Sequence, residues 1–426
     1  MKIKSFVLRR DNYREIVSRI DDNTIAVVRP EKFVERLFRS LIESVIVRKE
    51  DGRKDLGTLL DYFRVVSDNP LYLAKLADFE TQVHSYLSEG MFVYAPLKSV
   101  EDYLLAKCAR LCADAIACGV PGSDVVDGTG FVVCREPEPG RKPVFDWARS
   151  REAIAMRCKG SGRLIVSGGY GRLESGYVVR IGRGGSNILA SLIASALGAE
   201  CVEIYTEADG LDARPSLTFD EAAHFCAGSA APFASSALWP AKNAGIPVVV
   251  RNIFNPAFEG TVISDSAVSH DGVVSGVMVD EDLALVTVYG TGLLGSVGIS
   301  SSIMGCLGAA GVNIRFIAQT SSEYSISFAI PSGDASRATA ALEALVADNP
   351  LMPLDDVMLF NQEVGIVTVY GSRIKKVPAV SGKVFGALGA AGVSVIAAAQ
   401  GGEELSISVV VDSADVARAV AALKAL

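Results

Sequence analysis

Histidine is scarce in this chain, and the scarcity excludes a class of chemistry. His84, His224 and His270 are the only imidazoles in 426 residues, too few and too far apart for a histidine-rich metal centre. The eight cysteines form no Cys-x-x-Cys pair. A zinc ribbon or disulfide framework is therefore not expected, and reduced thiols in a cytoplasmic setting are. Cys108 and Cys112, one helical turn apart, read as helix-core thiols. Excess positive charge is also lacking: a net charge of −8 argues against nucleic acid or an anionic membrane surface as partner. The opening MKIKSFVLRR has no sustained apolar core, so no secretory leader is expected. Charge is absent altogether from Leu283 to Ile314, but "GTGLLGS" and "GAAGVN" interrupt that run with turn and cap signals. A strand, a loop, a helix and a second strand fit it better than a membrane span.

What is present includes an internal repeat. Val286-Thr287-Val288-Tyr289-Gly290 recurs at 367–371, Leu307–Val312 at 388–393, Ala318-Gln319 at 399–400, and Ser325-Ile326-Ser327 at 406–408. The offset is 81 each time, so the copies align without a gap. Each copy reads as a strand, a Gly/Ser-rich loop, a helix stopped by Ala-Ala-Gly, two strands and a second helix, a βαββαβ-type module with the last strand least distinct. Modules with helices on one sheet face leave an edge free, and edge-to-edge pairing is expected.

Residues 1–265 alternate strand and helix signals. Strands are expected at Thr24–Val28, Val45–Val47, Arg163–Val166, Val178–Ile181, Val202–Tyr205 and Pro247–Arg251, with helices at Val100–Cys118, Ile188–Leu197 and Phe219–Cys226. The fold class is therefore α/β: an αβα layered domain with a largely parallel sheet over 1–265, a junction at 266–280, and two modules at 281–350 and 360–426.

Two loops carry polar chemistry. "GRGGSN", 182–187, joins a strand to an apolar helix. Its glycines free backbone N–H groups at a helix N-terminus, and Arg183 offers a planar fork for a carboxylate or phosphate. The same residues also suit a plain tight turn. "YTEADGLDARP", 205–215, crowds Thr206, Glu207, Asp209 and Asp212 at a strand C-terminus, the edge where parallel α/β sheets bind ligands. Acids there orient lysines, hold ribose or reach a metal; equally, they form a solvated loop with Asx-turns.

Together "GRGGSN", "IYTEADGLDARP", "FDEA", "NAGIPVVVRNIFNPAFEGTVIS" and the paired modules, which resemble ACT domains, make the chain similar to the aspartate kinase family of the amino-acid-kinase fold. The resemblance runs from about Ser99 to the C-terminus. It implies ATP-dependent phosphorylation of the L-aspartate β-carboxylate, magnesium only as the counter-ion of ATP, feedback by an effector amino acid of the lysine or threonine class, and a homo-oligomer formed through the ACT modules. By position, Arg183 falls on the arginine that grips the aspartate carboxylate, and Ser186 on the neighbouring serine. Glu101 falls on a glutamate near the substrate, although Ser99 and Asp102 also make a helix capping box there. Thr206, Glu207, Asp209 and Arg214 fall on nucleotide-site positions. In the first module Leu293, Ser296, Asn313, Gln319, Ser322 and Glu323 stand where an effector is held, and the second module is expected to serve dimer pairing.

The pattern also departs from the family. The family opens with Lys-Phe-Gly-Gly-Thr-Ser. Aligned on the helix after the first strand, Lys2 takes the lysine position, Ile3 to Phe6 replace the Phe-Gly-Gly-Thr run, and Lys4 is a substitute cation. The glycine loop of the family ends in aspartate, which positions that lysine; here it ends in Asn187. Ala230 stands where a nucleotide-contacting lysine is implied. Phosphoryl transfer rests on positioned charge. These losses raise the alternative of a catalytically inactive, amino-acid-sensing or regulatory relative, or of a kinase for a different acidic amino acid.

Overall fold

The computed structural model describes residues 1–88, 97–136, 144–158, 162–182, 184–211, 214–226, 231–266, 274–289, 297–319, 325–347, 362–371, 374, 377–400 and 406–426. They form two compact units, one spanning most of residues 1–268 and the other most of residues 269–426.

In the first unit the centre of the sheet is parallel. Cys201–Thr206, Lys2–Leu8, Thr24–Pro30 and Leu164–Ser167 lie side by side, and the sheet extends to eight strands. Ile25, Ala26, Val27 and Val28 are all fully buried, the continuous apolar run of a strand covered on both faces. On one face Phe6, Leu8, Ala26 and Val28 pack with Val100, Leu104, Cys108 and Cys112 of the helix Leu97–Gly119. Burial pushes both thiols well above the ordinary cysteine range, as helix-core positions require. The helix Gly185–Leu197 covers the other face.

Val45–Val47 is helical, not a strand. It continues the helix Lys32–Ile42 as a π-helical turn, Glu43–Val47. The stripe Val34, Phe38, Leu41 and Ile42 buries one helical face, and this packing overrides the β-branched run that comes next. Three more helices, Arg53–Arg64, Pro70–Ser88 and Leu97–Gly119, precede the next strand, so strand and helix do not alternate among the described residues between 31 and 123.

In the second unit the 81-residue repeat becomes two equivalent cores. Val286, Val288, Ile303, Leu307, Phe328 and Leu342 fill the first, and Val367, Val369, Val384, Leu388, Val409 and Leu423 fill the second at matching positions. A Thr287–Ser327 hydroxyl pair at 2.9 Å recurs as Thr368–Ser408 at 2.8 Å. Gly311 and Gly392 take φ of 70° and 68°, the left-handed cap expected after Ala-Ala.

The modules pair within one chain as a six-stranded antiparallel sheet. At its centre the strand Gly276–Tyr289 serves both. Residues 276–280, read from sequence as junction, pair with 366–370 of the second module, where Val277 and Val279 pack on the second core. The register shifts between Asp280 and Leu283, and residues 283–289 then pair with Ser325–Pro331 of the first module. The fourth strand of each module thus comes from the segment next to the other. Among the described residues no helix is long and apolar enough to cross a membrane.

Candidate functional site

The loops after the central parallel strands gather at the sheet's C-terminal edge, where two cavities open. The larger, about 350 Å³, is walled by Val7, Asn187, Tyr205, Thr206 and Glu207 among others. Its neighbour, about 240 Å³, is walled by Gly182, Gly184, Gly185, Glu35 and Arg180. Arg29 and Lys32 belong to both walls. The glycine loop and the acidic loop, distant in sequence, therefore meet at one cleft of small-ligand size.

The glycine loop feeds its helix through Gly184, whose φ of 74° leaves no room for a Cβ of ordinary handedness. Among the described residues no side chain caps this helix; the Gly185 and Asn187 N–H groups donate to the Gly182 and Gly184 carbonyls at 3.2 and 2.9 Å, and the helix dipole puts its positive end at the cleft. Arg183 lies outside the described residues. Ser186 is fully buried against Gly168, and its hydroxyl has no hydrogen-bond partner among the described residues.

Asn187 faces the first strand. The Ser5 hydroxyl donates to Asn187 Oδ1 at 2.6 Å, with both side chains buried. Lys2 does not reach this place. It begins the strand Lys2–Leu8, beside Thr24 and Cys201, and its ammonium lies 3.8 Å from Glu203. Six residues of strand, roughly 20 Å at about 3.3 Å each, separate it from the cleft edge. Nor does Lys4 substitute. It lies on the face opposite Ser5, donates to Asp21 at 3.1 Å and to the Arg19 carbonyl, and sits 3.9 Å from Glu203. Ser5, and neither Lys2 nor Lys4, is the residue of the first strand that faces the last residue of the glycine loop. Phe6 is buried and stacked on Tyr205, ring centroids 4.7 Å apart.

The remaining sequence candidates divide. Thr206 and Glu207 line the larger cavity, the threonine hydroxyl donating to the Ala208 carbonyl at 3.1 Å and the glutamate accepting from Arg9. Asp209 turns inward instead. It accepts from the side-chain amides of Asn252 at 2.8 Å and Asn255 at 3.1 Å, which ties the acidic loop to the next one. The Arg214 carbonyl accepts from the Thr261 hydroxyl beside the short strand Ser216–Leu217.

Glu101 is held by Arg39 at 2.9 Å and lies 3.6 Å from Arg180. The expected capping box does not form, because the helix starts at Leu97 and Asp102 accepts the Arg180 backbone N–H at 3.1 Å. Burial pushes the Asp102 carboxyl above the usual carboxylate range, against the pull of that N–H and of the guanidinium. Arg180 also donates to Glu35 at 2.9 Å, so this cluster pins the edge of the smaller cavity.

Of the effector candidates, Asn313 and Gln319 are exposed, Gln319 ending the edge strand Phe316–Gln319. Leu293, Ser296, Ser322 and Glu323 lie outside the described residues, as does Ala230.

Sequence reasoning missed Arg9, Arg29 and Lys32. Their signal was present: "RPEK", 29–32, closes a strand at the ligand edge. Arg29 is half-buried. It donates to the Pro30 carbonyl at 3.1 Å, and its buried Nε has no partner among the described residues. Lys32 opens the helix Lys32–Ile42. Neither is ion-paired among the described residues. Unpaired cations, an orphaned hydroxyl and a helix N-terminus fit an anionic ligand. Among the described residues no cluster of three or more His, Cys, Asp or Glu could hold a metal.

The amino acid kinase family pattern matches residues 105–252, and the ACT domain pattern matches twice, at 286–345 and 367–425. The chain is 33% identical over 263 residues to a bifunctional aspartokinase/homoserine dehydrogenase of Haemophilus influenzae, a match covering 58% of this chain and 32% of that protein. The chain carries an amino acid kinase segment followed by two ACT domains, and it is similar to aspartokinases. A second relative of this aspartate kinase homologue, the bifunctional aspartokinase/homoserine dehydrogenase 2 of Arabidopsis thaliana, is 26% identical, over 97% of this chain and 48% of that protein. The chain thus spans about a third to a half of the length of these curated relatives. Two solved structures share its fold. Escherichia coli aspartokinase III in complex with aspartate and ADP superposes with a TM-score of 0.82 at 19% identity, covering 100% of this chain and 99% of that one. Clostridium acetobutylicum aspartate kinase gives 0.78 at 18% identity, covering 99% of each.

Proposed function

We propose that this aspartate kinase relative binds an acidic amino acid and a nucleotide in the cleft at the sheet's C-terminal edge, answers to an effector amino acid at its ACT pair, and transfers phosphoryl groups far more slowly than the family pattern would. Its role on this reading is amino-acid sensing or regulation in a reducing, cytoplasmic compartment, which suits its eight free cysteines. Association of chains through the ACT modules is part of the same reading.

One observation carries it: the neutral Ser5–Asn187 pair at 2.6 Å where the family resemblance implies a lysine held by an aspartate. Single positioned charges at such sites are worth about 10²–10³ in rate. Val7 adds a side chain to the cleft wall where the family resemblance implies a glycine that lets phosphates approach. The smaller cavity, with the glycine-loop helix and with Arg29 and Lys32 free of ion pairs among the described residues, keeps features that suit a carboxylate.

A working kinase is the second reading, favoured by Arg29 and Lys32, which stand without ion pairs on both cavities among the described residues. Coupled ADP release with L-aspartate separates the two. We expect no turnover above background at millimolar substrates, together with a thermal shift by the amino acid. Turnover near the common enzyme value of about 10 s⁻¹ overturns the first reading.

A further inference from the structure

Arg29 is placed by the sheet itself. In the parallel register Ser5 lies beside Val27 and Val7 beside Arg29. Side chains alternate along a strand, and paired neighbours point the same way. Arg29 therefore projects from the same face as Ser5, one strand across and two residues closer to the cleft edge. Asn187, the partner of Ser5, shares the larger cavity with it.

Arg29 makes no ion pair among the described residues, although Glu31, Glu35 and Glu207 share the walls of the cavities it lines. Glu35 is the acid that acts on it most, and Glu35 is committed to Arg180 at 2.9 Å. Burial draws the guanidinium below its ordinary value, the mark of a cation losing water without gaining an acid in exchange. A half-buried charge with an orphaned Nε is costly unless something anionic completes it. Lys32 adds a second cation, unpaired among the described residues, at the first turn of its helix. The two stand where the cavities join.

We propose that Arg29 and Lys32 form a clamp for a phosphoryl group at the junction of the two cavities, supplying from the second strand and its following helix the positive charge that Ser5 does not supply from the first. Arg29 offers a planar pair of N–H donors to two phosphoryl oxygens, and Lys32 a mobile point charge to the third. The clamp binds; no bond is made or broken by it. It rests on the reading that the cleft admits a phosphorylated ligand, and it holds whether or not transfer occurs. The phosphoryl group belongs either to a nucleotide or to a free phosphate compound, and the experiment separates these sources.

Titration calorimetry on the full chain uses ADP, adenosine and pyrophosphate as probes, with wild type, Arg29→Met, Arg29→Lys and Lys32→Ala. Lys32 is exposed, so its truncation leaves the fold intact; circular dichroism checks the Arg29 variants. Wild type is expected to bind ADP, and Arg29→Met and Lys32→Ala each to weaken ADP by about ten- to a hundredfold, as loss of a charge-assisted hydrogen bond does. Arg29→Lys recovers part of the loss, and adenosine binding stays within about twofold throughout, since adenosine carries no phosphoryl group for the clamp to hold. Arg29-dependent binding of pyrophosphate without adenosine binding supports the clamp, assigns it to a free phosphate compound and removes the nucleotide from the proposed function. ADP binding that is unchanged in both Arg29→Met and Lys32→Ala overturns the clamp and leaves the nucleotide reading standing. Failure of wild type to bind any of the three probes overturns both.

Discussion

The Ser5 hydroxyl and the Asn187 amide oxygen meet at 2.6 Å inside the first unit, between the first strand and the first turn of the glycine-loop helix. Both are neutral, and burial suits a neutral pair: each group is satisfied, and no charge has to be desolvated. If this pair replaces a lysine–aspartate pair, the site should accept the charged pair only as a pair. Ser5→Lys alone buries an uncompensated ammonium and is expected to cost about 3–5 kcal/mol. The double variant Ser5→Lys, Asn187→Asp is expected to recover at least half of that loss. Urea denaturation of the wild type, both single variants and the double variant measures the coupling. Additive losses would show that the two positions do not exchange charge for neutrality in this way.

Arg180 holds the smaller cavity's edge by pairing with three acids on two helices, Glu35, Glu101 and Asp102. Arg180→Met leaves Asp102, only 5% exposed, without its counter-charge. The expected destabilisation at neutral pH is about 3–5 kcal/mol. Its pH dependence has a definite sign. The folded Asp102 carboxyl already sits above its unfolded value because of burial, and losing Arg180 moves it further up. The buried charge is therefore a liability above that raised value and disappears on protonation. The deficit of the variant relative to wild type should shrink as pH falls from about 7 toward about 4. Denaturation curves across that range check it, and a deficit independent of pH would assign the loss to packing.

Asp21 gives the opposite acid dependence. It accepts from the Thr24 hydroxyl at 2.6 Å and from Lys4 at 3.1 Å, which hold its carboxyl at about 2 against an ordinary 3.8. A lowered folded value stabilises the fold fully above the unfolded value and loses that contribution as pH falls through the folded one. Its side chain is 61% exposed, so solvent screening limits the effect to about 0.5–1 kcal/mol. Asp21→Asn should therefore be less stable than wild type at about pH 6, with the gap closing between about pH 4 and about pH 2. Chemical denaturation at fixed pH reads it directly.

Much of this molecule was legible in its residues alone. The 81-residue offset located both ACT cores, because duplicated residues meet duplicated neighbours: Ile303 and Val384 occupy the same place, as do Leu342 and Leu423. The glycine loop and the acidic loop were rightly sought at one edge, since parallel strands deliver their loops together. Less was visible where a residue's meaning depends on a partner far away in sequence. Ser5 gains significance only opposite Asn187, and no local pattern announces that. Lys2 and Lys4 read as candidates because charge is conspicuous, while strand position sends one to the far end and the other to the opposite face. Arg29 and Lys32 passed unremarked, since no spacing rule marks an unpaired cation. The exchange of strands between modules was hidden for a related reason: a strand's sequence records that it is half-buried, not beneath which helices.

That exchange bears on how the chain comes into being. The strand made of residues 276–280 leaves the ribosome well before the module it completes, and has no matching edge until residues 366–370 emerge. The earlier module in turn lacks its outermost pairing until residues 362–364 have been added. Neither half can finish alone, so the pair matures as a single cooperative event once both modules have been made, and a fragment that starts at residue 281 arrives with an open seam.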